Sequence, residues 1–240
     1  MDKHISATTL AMFATACAQR PEEAVRLGLQ AMIENKPLGE SSLDGKIVVS
    51  FQGVELTEAN FRETITLYGQ KLKRHRNGGG WVPVEQDEHD ESKPYVAESA
   101  CIGPLAMVFG NARVLDHANV TESARVQGNA KVSGYAQIFG HAGISGCAKV
   151  SGYAKICEGA QVFGEAVVTN AALISDGARV YGNALVWDNA QVSGCAVVVD
   201  RAVVSGHTQL FGYARVQGEE SISKGTYLTR ADVEQYLTEG

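Results

Sequence analysis

Residues 132–149 read VSGYAQ IFGHAG ISGCAK, which is three consecutive six-residue units of the form aliphatic-x-Gly-x-Ala-x. The unit extends far beyond this stretch. Every sixth residue from Val96 to Leu228 is Val, Ile or Leu, at 23 positions without an exception. Ala follows four residues later at 19 of the 20 positions from Ala100 to Ala214, and Thr208 occupies the remaining one.

This period predicts a solenoid of short strands. Six residues are too few for a helix and its return, whereas β-branched residues bounded by Gly or Asp suit short strands and tight turns. A fixed period of this kind is typical of coils that bury their inner surface by stacking on one another. We expect the aliphatic residue and Ala to point inward, and Gly, Asp or Asn to form the corners. The fold class is therefore mainly β, a parallel β-helix.

The units quoted above resemble the hexapeptide-repeat superfamily of single-stranded, left-handed parallel β-helices. The resemblance covers residues 96–228, and it implies a three-sided coil in which each side is one unit. In one respect the sequence departs from that superfamily, because Gly stands two residues after the aliphatic position rather than directly after it.

A second period, of four units, leaves a four-sided coil open as an alternative. Large apolar residues recur at every fourth unit, and so do small hydroxyl residues such as Thr121, Ser145, Thr169 and Ser193. A four-unit coil would align each set on one face, whereas a three-unit coil would distribute it over three. We favour three sides because of the resemblance. The large residues are Leu115, Phe139, Phe163, Trp187 and Phe211.

The chain divides into four segments on composition and pattern. A small α+β domain over residues 1–80 is followed by a linker or loop at 81–95, the repeats at 96–228 and a C-terminal capping helix at 229–240. Within the first domain we expect helices over residues 1–40, one or two strands with a turn near Gln52-Gly53, and a third helix from Thr57 to His75.

Both ends of the solenoid need covers, because open β-helix ends expose unpaired strand edges. The sequence Thr229-Arg230-Ala231-Asp232 resembles a capping box and predicts a helix that starts there and runs to Leu237. The N-terminal helices are candidates for the cover at the other end.

Composition restricts the cellular compartment and the class of partner that we expect. The chain has a formal net charge of −6 and no apolar run long enough to span a membrane. Its five cysteines lack the CxxC spacing of a metal site, and the odd number argues against a disulfide framework. We predict a cytoplasmic protein without a metal ion, and we interpret Met1 to Gln19 as an amphipathic helix rather than a signal segment.

The resemblance also implies an enzymatic alternative. Hexapeptide-repeat acyltransferases use a histidine as general base and bind an acyl-CoA between neighbouring β-helices, so acetyl-CoA or another acyl-CoA would be the cofactor. His117, His141 and His207 occupy the same place in their units. In a four-sided coil, His117, His141 and Glu165 would line up as a catalytic group beside the aromatic residues. We favour the interpretation that these are surface residues, because no loop interrupts the repeat.

The preferred hypothesis is a non-catalytic scaffold or protein-interaction module. Strand alternation turns the residues beside each aliphatic position outward, and several of them are large and apolar. An exposed apolar face of this length is typical of an interface, so we expect a homo-oligomer and a further protein partner bound through the N-terminal domain. The predicted contact residues are Phe139, Phe163, Trp187, Phe211, Val197 and Val203.

Two further observations complete this interpretation. Gly-Gly-Trp-Val before a Gly-Asn-Ala-Arg-Val repeat resembles phage and prophage β-helix proteins, which are uncharacterised or carry a provisional transferase label. Basic residues form columns at a spacing of four units, as at Lys131, Lys155 and Arg179. We interpret these columns as a solvated face, because the acidic net charge disfavours nucleic acid as a partner.

Overall fold

The computed structural model describes residues 49–51, 54–56 and 63–239, which form 28 β-strands and one α-helix. The strands are β1 (Val49–Phe51), β2 (Val54–Leu56), β3 (Thr64–Leu67), β4 (Gln70–Arg74), β5 (Trp81–Pro83), β6 (Tyr95–Val96), β7 (Cys101–Ile102), β8 (Met107–Val108), β9 (Arg113–Val114), β10 (Asn119–Val120), β11 (Arg125–Val126), β12 (Lys131–Val132), β13 (Gln137–Ile138), β14 (Gly143–Ile144), β15 (Lys149–Val150), β16 (Lys155–Ile156), β17 (Gln161–Val162), β18 (Val167–Val168), β19 (Leu173–Ile174), β20 (Arg179–Val180), β21 (Leu185–Val186), β22 (Gln191–Val192), β23 (Val197–Val198), β24 (Val203–Val204), β25 (Gln209–Leu210), β26 (Arg215–Val216), β27 (Ser221–Ile222) and β28 (Thr226–Tyr227). The helix is α1 (Arg230–Glu239).

Three parallel sheets form the three sides of a solenoid, because each strand from β8 to β25 pairs with the strands three before and three after it. The pairing is in register at three units per coil, so that Val132 lies beside Val150 and Leu185 beside Val203. This register confirms the parallel β-solenoid with a three-sided coil. The four-sided alternative is wrong, and residues four units apart lie on different sides.

We name each side by one outward residue. The Leu185 face consists of strands β6, β9, β12, β15, β18, β21, β24 and β27. The Leu173 face consists of β7, β10, β13, β16, β19, β22, β25 and β28. The Val197 face consists of β8, β11, β14, β17, β20, β23 and β26, and β5, β4 and β3 extend it at the N-terminal end.

The interior contains the two inward rows that the repeat predicts. The aliphatic residue of each strand and the Ala of each corner are fully buried through the middle of the solenoid, as at Val150, Ala154 and Ile156. Thr208, which stands at an Ala position, is also fully buried. Burial of one aliphatic side chain per strand is worth roughly 1.5–3 kcal/mol, so stacking supplies most of the stabilisation.

The corners need a left-handed backbone and allow close stacking. Gly164 has φ of +71°, and a Cβ there would lie 2.9 Å from the amide nitrogen of Gly182 in the next coil. At several other corners a carboxylate takes this place and accepts a hydrogen bond from the glycine one coil further on. Asp176, at φ of 56°, accepts from the N–H of Gly194 at 3.0 Å in this way. The corner residues predicted from the period are therefore confirmed.

The N-terminal region differs from its prediction in one element. Strands β1 and β2 pair in antiparallel register, in agreement with the strands expected there, and the turn predicted near Gln52-Gly53 lies outside the described residues. The helix predicted from Thr57 to His75 is wrong, because β3 and β4 form an antiparallel hairpin. Tyr68 and Gly69 both have positive φ, which gives the two-residue turn that suits a hairpin. The helices expected over residues 1–40 lie outside the described residues.

The last coil breaks the six-residue register. Tyr227 is the buried residue of β28, and Leu228, predicted to point inward, is 49% exposed. Strand β28 pairs with β25 one position short of the three-unit register, with Gln209 beside Thr226. The next residues form the predicted capping box, in which Asp232 Oδ2 accepts from Thr229 N at 2.7 Å. Helix α1 then covers the coil, and Val233 is fully buried.

Candidate functional site

The predicted catalytic residues lie on three different corners. His117 lies between the Leu185 face and the Leu173 face, His141 between the Leu173 face and the Val197 face, and Glu165 between the Val197 face and the Leu185 face. All three side chains are exposed. Residues four units apart lie on neighbouring corners of a three-unit coil, so the alignment that a four-sided coil would give these three residues does not occur within one chain.

The predicted aromatic contact residues are also distributed over the three faces. Phe139 and Phe211 follow strands of the Leu173 face, Phe163 follows a strand of the Val197 face, and Trp187 follows a strand of the Leu185 face. Phe163 stacks on Tyr181, with ring centroids 4.7 Å apart and planes at 4°. The continuous aromatic stripe that a four-sided coil would produce does not form.

One short apolar run does lie on a single face. Val167, Leu185 and Val203 occupy the same outward position in three successive coils of the Leu185 face. All three are half-buried, and Trp187, two residues after Leu185 along the chain, is 37% exposed. Of the predicted contact residues, Val203 and Trp187 therefore belong to one surface, whereas Val197 lies on another face.

The same column is basic in its N-terminal half. Arg113, Lys131 and Lys149 precede Val167 at the same strand position. Lys131 and Lys149 are at least partly exposed, but Arg113 is only 7% exposed. The column is thus divided into a cationic segment and an apolar segment, and the three-unit spacing that reveals this division is visible in the sequence.

Arg113 fastens the loop that precedes the repeats. Its Nη1 lies 3.0 Å from Asp87 O, 2.7 Å from Asp90 O and 3.1 Å from Lys93 O, and its Nη2 lies 2.5 Å from Glu88 O. Four carbonyl groups thus surround one buried guanidinium. The segment that these contacts hold lies within the linker or loop predicted at residues 81–95, and Arg113 has a structural role there rather than one in ligand binding.

A second cluster, of half-buried and buried side chains, lies at the N-terminal end of the solenoid. The Arg74 guanidinium lies 3.9 Å from the ring centroid of Trp81 and donates to the carbonyls of Gly79 and Pro104, each at 2.9 Å. Next to it, His75 Nδ1 lies 3.0 Å from Asn77 O. Burial lowers the pKa of His75 and favours its neutral form.

An aromatic ladder lies on the corner that leads from the Leu185 face to the Leu173 face. His117, Tyr135 and Tyr153 occupy this corner in successive coils, and adjacent ring centroids are 5.3 Å apart. The histidine predicted as a base is therefore stacked on a tyrosine. The four-unit period concealed this ladder, whereas a search at every third unit would have found it.

Two of the open depressions on the described surface border features described above. The larger, of about 1090 Å³, lies between the β3–β4 hairpin and the corner glycines Gly110, Gly128 and Gly146. The smaller, of about 500 Å³, begins where the aromatic ladder ends at Tyr153. Across residues 49–51, 54–56 and 63–239, no three His, Cys, Asp or Glu residues cluster as metal ligands would.

The described part of the chain also contains no helix that is long and apolar enough to cross a membrane. Its one helix, α1, has ten residues.

Comparison with known proteins identifies a repeat type. Residues 178–194, a little less than one coil, match the model of the YdcK beta solenoid repeat. No curated protein and no solved structure matches the chain. The match agrees with the stacked coils described above and supports a β-solenoid repeat protein, and it assigns no activity.

Proposed function

We propose that this protein is a non-catalytic scaffold that self-associates through its Leu185 face. The observation that carries the proposal is the run Val167, Leu185 and Val203, which repeats an apolar residue in three adjacent coils. Each of these side chains is half-buried within one chain and retains apolar surface that a partner would cover.

On each of the other two faces, polar residues lie before and after the apolar residue in the column. Leu173 lies between Lys155 and Gln191 on its face. Val197 lies between Arg179 and Arg215, both exposed, on the third face. Contact between two such faces would desolvate charged or amide groups without pairing them, which costs free energy. The Leu185 face is therefore the best candidate for self-association.

A two-fold axis through Leu185 makes this surface self-complementary. In an antiparallel pair of solenoids, the position one coil before Leu185 meets the position one coil after it, so Val167 faces Val203 of the second copy. Lys149 then faces Ser221 rather than another cation. Since the apolar run is short, we expect a dimer of about micromolar affinity rather than a tighter one.

Sedimentation velocity over a range of protein concentrations tests this proposal. Leu185→Asp should shift the wild-type dimer to monomer, because it places two carboxylates against each other at the axis. Leu173→Asp is the matched control, since it makes the same change at the same strand position on another face. A wild-type chain that stays monomeric at roughly 100 µM, well above the expected Kd, would contradict the proposal, as would equal behaviour of the two variants.

The acyl-CoA-dependent acyltransferase remains the alternative proposal. Calorimetric titration with acetyl-CoA and with CoA distinguishes the two functions. The scaffold requires that neither compound binds through His117 or His141, and that the dimer is unchanged in His141→Ala. Saturable binding that is lost in His117→Ala or His141→Ala would instead favour the enzyme.

Three further expectations stay predictions. These are the cytoplasmic location, the phage-like origin, and a protein partner that binds through the N-terminal domain.

A further inference from the structure

The aromatic ladder has one free end. His117, Tyr135 and Tyr153 stack at interplanar angles of 19° and 6°, so both faces of the Tyr135 ring are covered. The next position in this column is Ala171, whose backbone N–H follows that of Tyr153 by one coil. Ala171 carries no ring, and Tyr153 is accordingly 65% exposed, compared with 50% for Tyr135.

A depression lies beyond Tyr153, at the level of Ala171, where the next ring of the ladder would stand. We call this position the vacant rung. The depression of about 500 Å³ lies here, with Tyr153 on one side and Asn189, two coils away from Tyr153, on the other. Coils stack at about 4.8 Å, so these two walls are separated by roughly 9.6 Å along the solenoid axis. A planar ring at the level of Ala171 would continue the ladder at its own 5.3 Å spacing.

The lining of the vacant rung combines apolar and polar groups. Ala171 and Leu173 form its apolar floor. Leu173 holds the outward strand position of this face, with Lys155 in the coil before it and Gln191 in the coil after it. Asn189 and Gln191 supply amide donors and acceptors at the edge, and Lys155 supplies a cation.

We propose that the vacant rung binds the nucleobase of a nucleoside or nucleotide. The base stacks on the free face of Tyr153 at the level of Ala171, and its polar edges bond to the amides of Asn189 and Gln191. A nucleobase has both the π-face and the donor and acceptor edges that this site requires, and stacking on an aromatic side chain tolerates any base. An aliphatic side chain lacks the polar edge, and a sugar ring lacks the π-face.

The proposal goes beyond the scaffold function and does not depend on it. Self-association uses Val167, Leu185 and Val203 on the flat Leu185 face, whereas the vacant rung lies on the adjacent corner and the Leu173 face. Either proposal can therefore fail while the other holds.

Ligand-observed NMR titration of the full chain with adenosine tests the site, with ribose as the control that lacks a base. We expect saturable binding of adenosine with a Kd of about 1 mM or below, and none of ribose. AMP distinguishes the source of the base. Tighter binding of AMP than of adenosine indicates a nucleotide with its phosphate near Lys155, and equal binding indicates a nucleoside.

Two variants locate the binding. Ala171→Tyr should abolish it, because the new ring occupies the vacant rung, and the fold accepts tyrosine at this corner in Tyr135 and Tyr153. Asn183→Tyr makes a comparable change at the same place in the unit on a different corner and should bind as the wild type does.

Changes at Tyr153 test the stacking itself. Tyr153→Phe should bind as the wild type does, whereas Tyr153→Ala should weaken binding about tenfold because it removes the ring on which the base stacks. The proposal is overturned by an absence of saturable binding up to roughly 10 mM adenosine. It is equally overturned if Ala171→Tyr retains binding or if Asn183→Tyr loses it.

Discussion

The middle coils and the two ends of this solenoid are stabilised in different ways. In the middle, each strand repeats the same contacts, with one aliphatic residue and one Ala buried and in-register partners one coil before and one coil after. At the ends, single side chains make contacts that occur only once. Arg113 binds the N-terminal loop, and Arg230 binds Glu220 through two bonds of 2.5 Å at the C-terminal end.

The stabilisation differs because a middle coil stacks on a coil at each side, whereas an end coil stacks on only one. A middle coil finds an equivalent coil on both sides, so a single pattern satisfies all of its backbone groups. An end coil lacks one neighbour, and side chains take over that role. Gln70 does so at Gly110, where its amide accepts from the backbone N–H at 2.7 Å and donates to the carbonyl at 2.9 Å. We therefore expect equivalent substitutions to cost more at the ends than on the outer surface of the middle coils.

The largest effect should come from a single methyl group at the N-terminal end. A Cβ on Gly80 would lie well inside van der Waals contact with both Gly103 O and Ile102 Cγ2, whereas a Cβ on Gly143, in a middle coil, meets nothing within 4 Å. Gly80→Ala should lower the free energy of unfolding by about 3 kcal/mol, because backbone atoms must move to accommodate it. Gly143→Ala should change it by less than about 0.5 kcal/mol. Urea unfolding measures both, and similar values would refute the distinction between the N-terminal end and the outer surface of the middle coils.

A smaller loss should follow from removal of the Arg113 guanidinium. Arg113→Met leaves four loop carbonyls without their donor and should cost about 2 kcal/mol. It should also expose residues 84–94 to limited proteolysis. The matched control is Arg125→Met, because Arg125 has the same strand position on the Val197 face and is exposed. If the loop of Arg113→Met resists protease as well as that of Arg125→Met does, Arg113 does not fasten it.

The smallest effect concerns pH. Burial lowers the pKa of His75 in the folded chain below its unfolded value of about 6.5, so the unfolded state binds the proton more readily. Stability is therefore retained above the unfolded pKa and declines as the pH falls below it. Between pH 7.5 and 5.5 the loss should be at most about 1.4 kcal/mol, which is the limit for one proton bound only in the unfolded state.

The urea midpoint at the two pH values measures this loss, with His75→Asn as the control. The amide of asparagine does not titrate, and its Nδ2–H group stands at the same distance along the side chain as the ring Nδ1 that donates to Asn77 O. The variant should therefore lose less stability than the wild type over the same interval. An equal loss in both chains would assign the pH dependence to other groups.

The candidate sites show how the number of units per coil decides which residues become neighbours. Two periods coexist in the repeats, and the candidates His117, His141 and Glu165 were grouped by the longer one. Hydrogen bonding between strands follows the three-unit coil, so that period decides which side chains become neighbours. In successive coils, His117 is followed by Tyr135 and Tyr153, and Leu185 is preceded by Val167.

Prediction from the sequence was wrong at both ends of the solenoid. Ile65 and Leu72 fit the spacing of a helix, but the Tyr68-Gly69 turn and pairing with β5 select a hairpin that extends the Val197 face. At the C-terminal end, the period predicts an inward Leu228, yet Tyr227 is buried instead. Local periodicity contains no information about these contacts, since both depend on what covers an unpaired edge.

By itself, the sequence determined that the chain forms a solenoid, which residues point inward and where the corners lie. Each of these depends on a six-residue unit whose inward and outward positions are set by strand alternation and by the left-handed corner. Only the tertiary structure decided how many units close a coil, and therefore which outward residues share a column. Stacking brings together residues three units apart, and it thereby formed the apolar run on the Leu185 face and the ladder that ends at Tyr153.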